Sequence, residues 1–288
     1  MRNRTVSSLG AAVTLAFFGA VTFTHAAAPE PAAQKVRENI YVMTAGVSNS
    51  TIIIGPDGVI VVDVGNRPAD GQKIVAEIGK LTTKPLTTVI LTHSDPDHVR
   101  GLGGFPHGLT IIAHENDKKE IEEDLAAGGD KSPPREYLPN KIVTHTQEDM
   151  TIDGVKMTLF HVAPAHTSGD LAVYLPDEKV VVAGDLLSDG DPTLRLEKHG
   201  SSEGWIRFVS TLAALDADTF IRGHADVTTR DQVCAVLLRT RAKRAKIADL
   251  VREGKSLDEI KQAVGDPPKN PSRFPSFTET TYQELTRK

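Results

Sequence analysis

The chain has 288 residues, of which 39% are hydrophobic and 25% charged, and this composition is typical of a globular protein and excludes a disordered chain. The formal net charge of −5 and the pI of about 6.1 give no electrostatic reason to bind nucleic acid or anionic lipid, so we expect a small-molecule substrate as the partner. Cys234 is the only cysteine, which excludes an intramolecular disulfide.

The first 28 residues have the pattern of a cleavable export signal. Arg2 and Arg4 precede a short apolar run from Val13 to Phe23, and small residues follow at 26–28. The run is shorter than a helix needs to span a membrane, which favours a cleaved signal over a membrane anchor. We therefore expect a periplasmic or secreted protein without stable membrane insertion after cleavage, and a single domain over residues 29–288.

The first half of that domain alternates predicted strands and helices. Three apolar runs between Ile40 and Val64, with a Gly-Pro-Asp-Gly turn at 55–58, predict strands. Apolar residues at helical spacing predict a helix from Pro68 to Leu81. The remaining elements of this half are a strand at 87–92, a strand at 111–113 and a charged helix from about 116 to 127.

The second half begins with a polar, Gly- and Pro-rich segment from Gly128 to Pro139, which we predict to be a mobile loop over a site. Strands follow from Lys141 to the residue before Asp185, and then a Gly/Asp-rich loop leads to a helix that starts near Ser202. A last short strand leads to His224, and the tail, about residues 231–288, is predicted to be helical. We interpret its basic run at 239–246 as a solvent-facing side of a helix.

The order of these elements indicates the fold class. A block of strands and helices is followed by a second block of the same kind, although the two blocks have no visible sequence repeat. This order predicts two sheets packed face to face with helices outside, which is a single α/β domain.

Four clusters of histidine and aspartate follow predicted strands. Because so many imidazoles and carboxylates at strand ends are costly to arrange without a cation, we predict that they bind metal. The clusters are Thr92–His98 (THSDPDH), Ala165–Thr167 (AHT), Gly184–Leu186 (GDL) and Gly223–Ala225 (GHA).

The spacing within the first cluster favours two ions rather than one. His93 and Asp95 are two residues apart and lie on the same side of an extended segment, whereas Asp97 and His98 point to different sides of a loop. One segment can thus provide ligands to two neighbouring ions. The remaining ligands of these ions would be His166, His224 and Asp185. A carboxylate such as Asp185 can bridge, because it has two oxygens.

Several stretches of the chain resemble the metallo-β-lactamase superfamily. They are NIYVMTAGVSNSTIIIGPDGVIVVDVG, THSDPDHVRGLGG, PAHTSGDLAVYLPDEKVVVAGDLL and RGHADV, in the order that the family has, over roughly residues 37 to 230. The resemblance implies a four-layer αβ/βα sandwich with a two-metal site at the edge between the sheets.

The resemblance also implies roles for individual residues. His93, Asp95 and His166 would hold the first ion, Asp97, His98 and His224 the second, and Asp185 would bridge the two ions. Asp97 or Asp185 would orient the attacking nucleophile, and Asp63 would support a ligand without binding an ion. We further predict substrate contacts for His199 in the Gly/Asp-rich loop and for Tyr137 in the Pro-rich loop.

Asp95 departs from the family pattern His-x-His-x-Asp-His, in which the second histidine stands at this position. A third carboxylate makes the ligand set more negative, so the ions become weaker Lewis acids. Oxygen-rich ligation also favours harder ions. We expect two divalent ions, with Zn²⁺ as the first candidate. Iron and manganese are the alternatives because of Asp95.

Three functions follow from these observations. The leading hypothesis is an exported hydrolase in which a metal-bound hydroxide attacks a small ester, thioester, lactone or β-lactam. The second is iron-dependent dioxygenase chemistry on a sulfur substrate, which Asp95 motivates. The third is a non-catalytic binding protein with a degenerate metal site.

Overall fold

The computed structural model describes residues 32–267 and 274–287, and these belong to one compact unit over 31–288. The predicted export signal, residues 1–28, lies outside the described residues. Within them, no helix combines the length and the apolar character that a membrane span requires.

The strands that the structure describes are short, and most of them are buried along most of their length, as in a sheet covered on both faces. They are β1 (Gln34–Lys35), β2 (Ile40–Ala45), β3 (Ser48–Ile54), β4 (Val59–Val62), β5 (Leu86–Ile90), β6 (Thr110–His114), β7 (Lys141–Val143), β8 (Gln147–Ile152), β9 (Val155–Phe160), β10 (Ala172–Leu175), β11 (Val180–Val182), β12 (Thr219–Ile221) and β13 (Thr228–Thr229). The edge strands at 34–35 and 147–152 are more exposed.

The helices lie between and after these strands. They are α1 (Pro68–Leu81), α2 (Pro96–Val99), α3 (Glu115–Ala126), α4 (Ser202–Ala214), α5 (Arg230–Arg252), α6 (Leu257–Val264) and α7 (Phe277–Thr286). Single 3-10 turns occur at Arg100–Gly104, Arg135–Tyr137, Gly184–Leu186 and Leu196–Lys198.

The strands form two mixed sheets. The first has the order β1-β2-β3-β4-β5-β6-β7, antiparallel up to β4 and parallel from β4 to β7. The second has the order β13-β12-β11-β10-β9-β8 and is antiparallel except for the parallel pair β11 and β12. Two neighbouring parallel strands end at the same edge of a sheet, so the residues that follow them lie side by side.

Three apolar clusters show that the domain has four layers. The first cluster joins the outer face of the first sheet to α1 and α3, for example through Ile74 and Ile121. The second fills the space between the sheets, where Ile60 of one sheet and Val173 of the other are fully buried. The third joins the second sheet to the later helices and contains Trp205 of α4. The predicted four-layer αβ/βα sandwich is confirmed.

Two local predictions meet different outcomes. The predicted helix over Pro68–Leu81 is present with the same bounds. The expectation that the basic run on α5 faces solvent is wrong for Lys243, whose side chain is only 15% exposed and contacts both Asp191 and Asp266. The two carboxylates lie on neighbouring segments and bind the ammonium group where the side chain is largely buried. The sequence of one helix alone does not predict such partners.

Candidate metal centre

The predicted clusters lie at one edge of the sandwich because of how the strands end. β5 runs into His93 and the turn of α2, which carries Asp97 and His98. The parallel strands β11 and β12 end side by side and lead into Asp185 and His224. His166 lies in the connection between β9 and β10.

The amide of Asn49 on β3 holds one of these connections against the first sheet. It donates to the carbonyl oxygens of Arg222 at 3.0 Å and Ala225 at 2.7 Å, on either side of His224. The backbone N–H of Asn49 donates to the carbonyl of Gly223 at 2.7 Å. The His224 turn is therefore fixed to the opposite sheet by three hydrogen bonds.

His93, Asp95 and His166 form the first ligand group. The Oδ2 atom of Asp95 lies 3.8 Å from Nε2 of His93 and 3.4 Å from Nε2 of His166. All three residues are buried. Ligand atoms around one ion are separated by about 3 to 3.5 Å when each lies about 2.1 Å from it, so the group is close to the spacing that one ion requires.

Asp97, His98 and His224 form the second ligand group. The Oδ2 atom of Asp97 lies 3.7 Å from Nε2 of His98 and 3.3 Å from Nε2 of His224. The two imidazole nitrogens are 3.4 Å apart. His98 is fully buried, whereas the side chain of His224 is 43% exposed, so this group lies nearer the surface.

Asp185 lies between the two groups. Its Oδ2 atom is 3.9 Å from Nε2 of His93 and 3.3 Å from Nε2 of His224, and its Oδ1 atom is 3.4 Å from Nε2 of His98. One carboxylate thus faces imidazoles of both groups, which is the arrangement expected of a bridging ligand.

Two buried atoms test whether this donor set fits cations. Nε2 of His93 and Oδ1 of Asp185 are buried and have no hydrogen-bond partner in the part of the chain that the structure describes. An unsatisfied buried polar atom costs about 1 to 3 kcal/mol, and coordination to a cation would remove that cost. Imidazole nitrogen and carboxylate oxygen are ligands for zinc, iron and manganese, so the residues fit a pair of divalent ions.

Hydrogen bonds to the other ring nitrogen fix each imidazole. This is the usual support of a histidine ligand, because it sets both the ring orientation and the tautomer. The Nδ1 partners are Thr92 Oγ1 for His93 at 2.9 Å, Asp63 Oδ2 for His98 at 2.8 Å, the Thr193 carbonyl for His166 at 2.8 Å and the Val47 carbonyl for His224 at 2.7 Å.

Asp63 lies next to His98 and next to the segment that carries His93. Besides His98, it accepts hydrogen bonds from the backbone N–H of Thr92 at 2.8 Å and from its hydroxyl at 2.7 Å. Its φ of 60° is in the left-handed region, which aspartate tolerates better than most residues. Asp63 therefore supports both His98 and the segment that carries His93.

The electrostatics of the site keep its carboxylates ionised. Although burial opposes ionisation, His98 and His224 hold the pKa of Asp185 well below its ordinary value. Burial likewise opposes the charge on His98, but Asp185 and Asp63 raise its pKa to about 9. Asp95 and Asp185 overcome burial in the same way and raise the pKa of His166 to about 9.

Sequence reasoning missed two cations that contact Asp95. Nη1 of Arg195 donates to Oδ2 of Asp95, and Nζ of Lys198 lies 2.8 Å from Oδ1. Both cations come from the Gly/Asp-rich loop, which has no periodicity to single them out. The usable signal was Asp95 itself, because a buried carboxylate requires a charged or hydrogen-bonding partner.

The two predicted substrate contacts are placed differently from the ligands. His199 is exposed and adopts a φ of 60° at the end of the Leu196–Lys198 turn. Tyr137 is only 5% exposed, and its hydroxyl donates to the carbonyl of Phe105 at 2.7 Å. Tyr137 therefore packs in the core of the first sheet, and burial of its ring explains why it has no surface to offer a ligand.

Gly223 lies within one of the predicted clusters, but the sequence predicted no role for it. A Cβ atom at this position would lie 2.0 Å from Oδ1 of Asp185 and 2.9 Å from Cε1 of His98. Only glycine lets the segment after β12 approach the carboxylate of Asp185 so closely.

Comparison with known proteins places these features in a family. The model of the metallo-beta-lactamase superfamily matches residues 43–224, which is more than half of the chain. The chain is 24% identical over 264 residues to the linear primary-alkylsulfatase of Pseudomonas sp. (strain ATCC 19151), covering 75% of this chain and 50% of that protein. It is 27% identical over 233 residues to the alpha subunit of 2,4-dinitroanisole O-demethylase of Nocardioides sp. (strain JS1661), covering 80% of this chain and 68% of that subunit.

A solved structure shows the same fold. The stereoselective inverting sec-alkylsulfatase Pisa1 from Pseudomonas sp. superposes with a TM-score of 0.72 at 17% identity, over 89% of this chain and 50% of that one. The chain thus spans about half the length of the alkylsulfatases that it matches. From the family model, its motifs and its fold, the chain belongs to the metallo-beta-lactamase superfamily.

Proposed function

We propose that the chain is a hydrolase that uses two divalent metal ions to cleave an ester-type bond in a small molecule. The observation that carries this proposal is the position of Asp185 between two three-residue ligand groups, with Oδ1 of Asp185 and Nε2 of His93 buried and without a hydrogen-bond partner among the described residues. Such ions, when bound, lower the pKa of water and polarise the bond under attack.

The residues of the chain have distinct parts in this proposal. His93, Asp95 and His166 would hold one ion, Asp97, His98 and His224 the other, and Asp185 both. The side chains of Asp97 and Asp185 are 25% and 17% exposed, so part of each carboxylate is accessible to solvent and can accept a hydrogen bond from the attacking water. Hydrolysis adds the elements of water across the bond, and the leaving group takes up the proton.

We propose a small ester, thioester, lactone or β-lactam as substrate, and we add alkyl sulfates because two alkylsulfatases are among the similar proteins. The similarity to an O-demethylase makes alkyl aryl ethers a further class worth testing. Specificity would come from loops around the site, which differ between members of one fold.

The test is a substrate panel with the metal-loaded protein. Turnover of at least one of these classes, lost on chelation and reduced at least about 100-fold in Asp185→Asn, is the expected result. Glu148→Gln, a change of a carboxylate on β8 away from the ligand groups, is the control. Absence of turnover across the panel by protein that holds two ions contradicts the proposal.

One observation favours a second function. The carboxylate of Asp95 lies within 3.8 Å of the ring nitrogens of His93 and His166, and as a ligand it would make the set rich in oxygen. Oxygen-rich sets favour harder ions such as iron, which supports dioxygenase chemistry on a sulfur substrate as the alternative. Elemental analysis of protein purified without added metal decides: iron with O₂ consumption supports the alternative, and zinc supports the hydrolase.

We also propose that the protein works in the periplasm or outside the cell. The support is the basic start, apolar run and small residues of the first 28 residues. Fractionation followed by N-terminal sequencing tests this: a mature chain that begins near residue 29 in the exported fraction is expected, and an intact chain in the cytoplasm contradicts it.

A further inference from the structure

We infer that Arg195 and Lys198 are positioning residues that hold Asp95 in place as a ligand, so that the three side chains act as one charge-balanced unit. The inference rests on the proposed metal centre and goes beyond it, since it assigns control of one ligand group to one segment of the chain. That segment is Thr193–Lys198, between the Asp185 turn and α4.

Both oxygens of Asp95 are held by this segment. Nη1 of Arg195 donates to Oδ2, and Nζ of Lys198 lies 2.8 Å from Oδ1. Oδ2 is also the atom that faces His93 and His166, so the salt bridges fix which oxygen points to the ligand group. The side chain of Asp95 is 5% exposed, and rotation away from this arrangement would leave a buried charge unpaired.

The same segment supports His166. The carbonyl of Thr193 accepts a hydrogen bond from Nδ1 of His166, and the backbone N–H of Arg195 donates to the carbonyl of His166 at 2.8 Å. Two of the three residues in the first group therefore depend on Thr193–Lys198.

The second group is supported by other parts of the molecule. His98 is held by Asp63, and His224 is held by the carbonyl of Val47. The hydroxyl of Ser48 donates to the carbonyl of Asp97. A change in Thr193–Lys198 is therefore expected to act on the first group and to spare the second.

Charge explains why the two cations accompany this particular ligand. The side chains of Arg195 and Lys198 are only 17% and 19% exposed, and outside Asp95 their carboxylate partners are Glu197 and Glu120. A neutral imidazole at position 95 would remove one negative charge and leave both cations next to a divalent ion. Asp95→His alone would therefore weaken the first site, although imidazole is a good ligand for zinc.

The experiment measures binding of Zn²⁺ to the chelator-treated full-length protein, by competition with a chromophoric chelator and by elemental analysis. For the wild type we expect two ions. Arg195→Met is expected to weaken one binding step about 10- to 100-fold and to leave the other within about 3-fold. Asp95→His is expected to show the same loss, and Asp95→His/Arg195→Met/Lys198→Met is expected to recover two ions.

Lys243→Met is the matched control. Like Lys198, Lys243 contacts two carboxylates and is largely buried, with 15% of its side chain exposed against 19% for Lys198. Its partners Asp191 and Asp266 are not in either ligand group. This variant should bind both ions as the wild type does. Thermal unfolding of each metal-free variant shows whether the fold is retained, and the triple variant serves as the test if a single variant fails to fold.

The possible outcomes separate this inference from the proposed function. A wild type that binds no Zn²⁺ contradicts the proposed metal centre. A wild type that binds two ions, together with an Arg195→Met or an Asp95→His variant that binds both as tightly, overturns the role of Arg195 and Lys198 and leaves the metal centre standing.

Discussion

Gly223 shows how closely the backbone approaches the carboxylate of Asp185. A methyl group at this position would lie 2.0 Å from Oδ1 of Asp185, so Gly223→Ala must displace that carboxylate. We expect the variant to lose at least about 10-fold in metal affinity, as for other changes that disturb the orientation of a ligand. Elemental analysis after dialysis against limiting metal measures this loss.

Gly79→Ala is the matched control for that prediction. Gly79 is an exposed residue of α1, and a Cβ atom there has no heavy atom within 4 Å. Replacing glycine by alanine in a helix interior stabilises it by roughly 0.5 to 1 kcal/mol, so this variant should bind metal normally. Equal metal content in Gly223→Ala and Gly79→Ala would contradict the steric argument.

The histidines of the site also predict a pH dependence in the metal-free protein. The pKa values of His98 and His166 are raised to about 9, above the ordinary value of about 6.5. Their stabilisation is therefore complete below about pH 6.5 and is lost as the pH rises through about 9. We expect the free energy of unfolding of the chelator-treated protein to fall between these pH values, as measured by urea titration.

Two comparisons check the source of this fall. Burial, together with His98, keeps the pKa of His93 well below its ordinary value, so His93 is neutral throughout this range and adds nothing to the slope. His98→Gln removes one of the groups with a raised pKa, which also include His224 with a pKa of about 11, and should make the fall smaller. A metal-free protein that is equally stable or more stable at pH 9 would refute the prediction.

At the residue scale, the sequence predicted which side chains meet but not what surrounds them. The seven predicted ligand residues lie together, because each follows a strand and the strand ends share one edge. Arg195 and Lys198 could not be predicted, since their link to Asp95 spans about a hundred residues and a loop without periodicity. Tyr137 was misplaced because a Pro-rich segment gives no sign of which side chains turn into the core.

At the scale of secondary-structure elements, α4 supports the turn that carries Asp185. Trp205 of α4 is fully buried, and its Nε1 donates to the carbonyl of Leu186 at 2.7 Å. Trp205→Phe keeps an aromatic ring but leaves that buried carbonyl without this partner, so we expect a loss of about 1 to 3 kcal/mol in the free energy of unfolding. Urea unfolding of the metal-free protein measures it.

Phe208→Leu controls for packing in this experiment. Phe208 is fully buried on the same helix and packs in the same apolar cluster. The change removes ring volume without affecting a hydrogen bond to the Asp185 turn. If Trp205→Phe unfolds at the urea concentration of the wild type, the hydrogen bond does not support the turn.

Elements with a strong period were predictable and those set by partners were not. Helix α1 has regularly spaced apolar residues and begins at Pro68, a residue well suited to a first helical position. The Leu196–Lys198 turn has no such pattern, and the salt bridges to Asp95 and Glu120 hold it. The direction of Lys243 depends in the same way on Asp191 and Asp266, which belong to other segments.

At the scale of the whole molecule, the proposed ions would link the two sheets. His93 and His98 follow a strand of the first sheet, whereas Asp185 and His224 follow strands of the second. An ion at 100 times its Kd stabilises the folded state by about 2.7 kcal/mol, and about 1 kcal/mol shifts the Tm of a domain of this size by about 2 to 4 °C. Chelation should therefore lower the Tm by at least about 5 °C.

Differential scanning calorimetry with and without chelator measures this shift. Asp185→Asn is the control, because it removes the charge that serves both ligand groups and should show little response to chelator. A wild-type Tm that is the same with and without chelator would mean that no ion links the sheets.

The separation of the ligands along the chain has a consequence for how the protein obtains its metal. His98 and His224, whose ring nitrogens are 3.4 Å apart, are 126 positions apart in sequence, so the second ligand group exists only once both sheets have formed. If the chain is exported as we propose and crosses the membrane unfolded, it carries no assembled site during transport. The ion that it finally holds is then chosen from the supply on the far side, and a change in that supply would change the metal without any change in the gene.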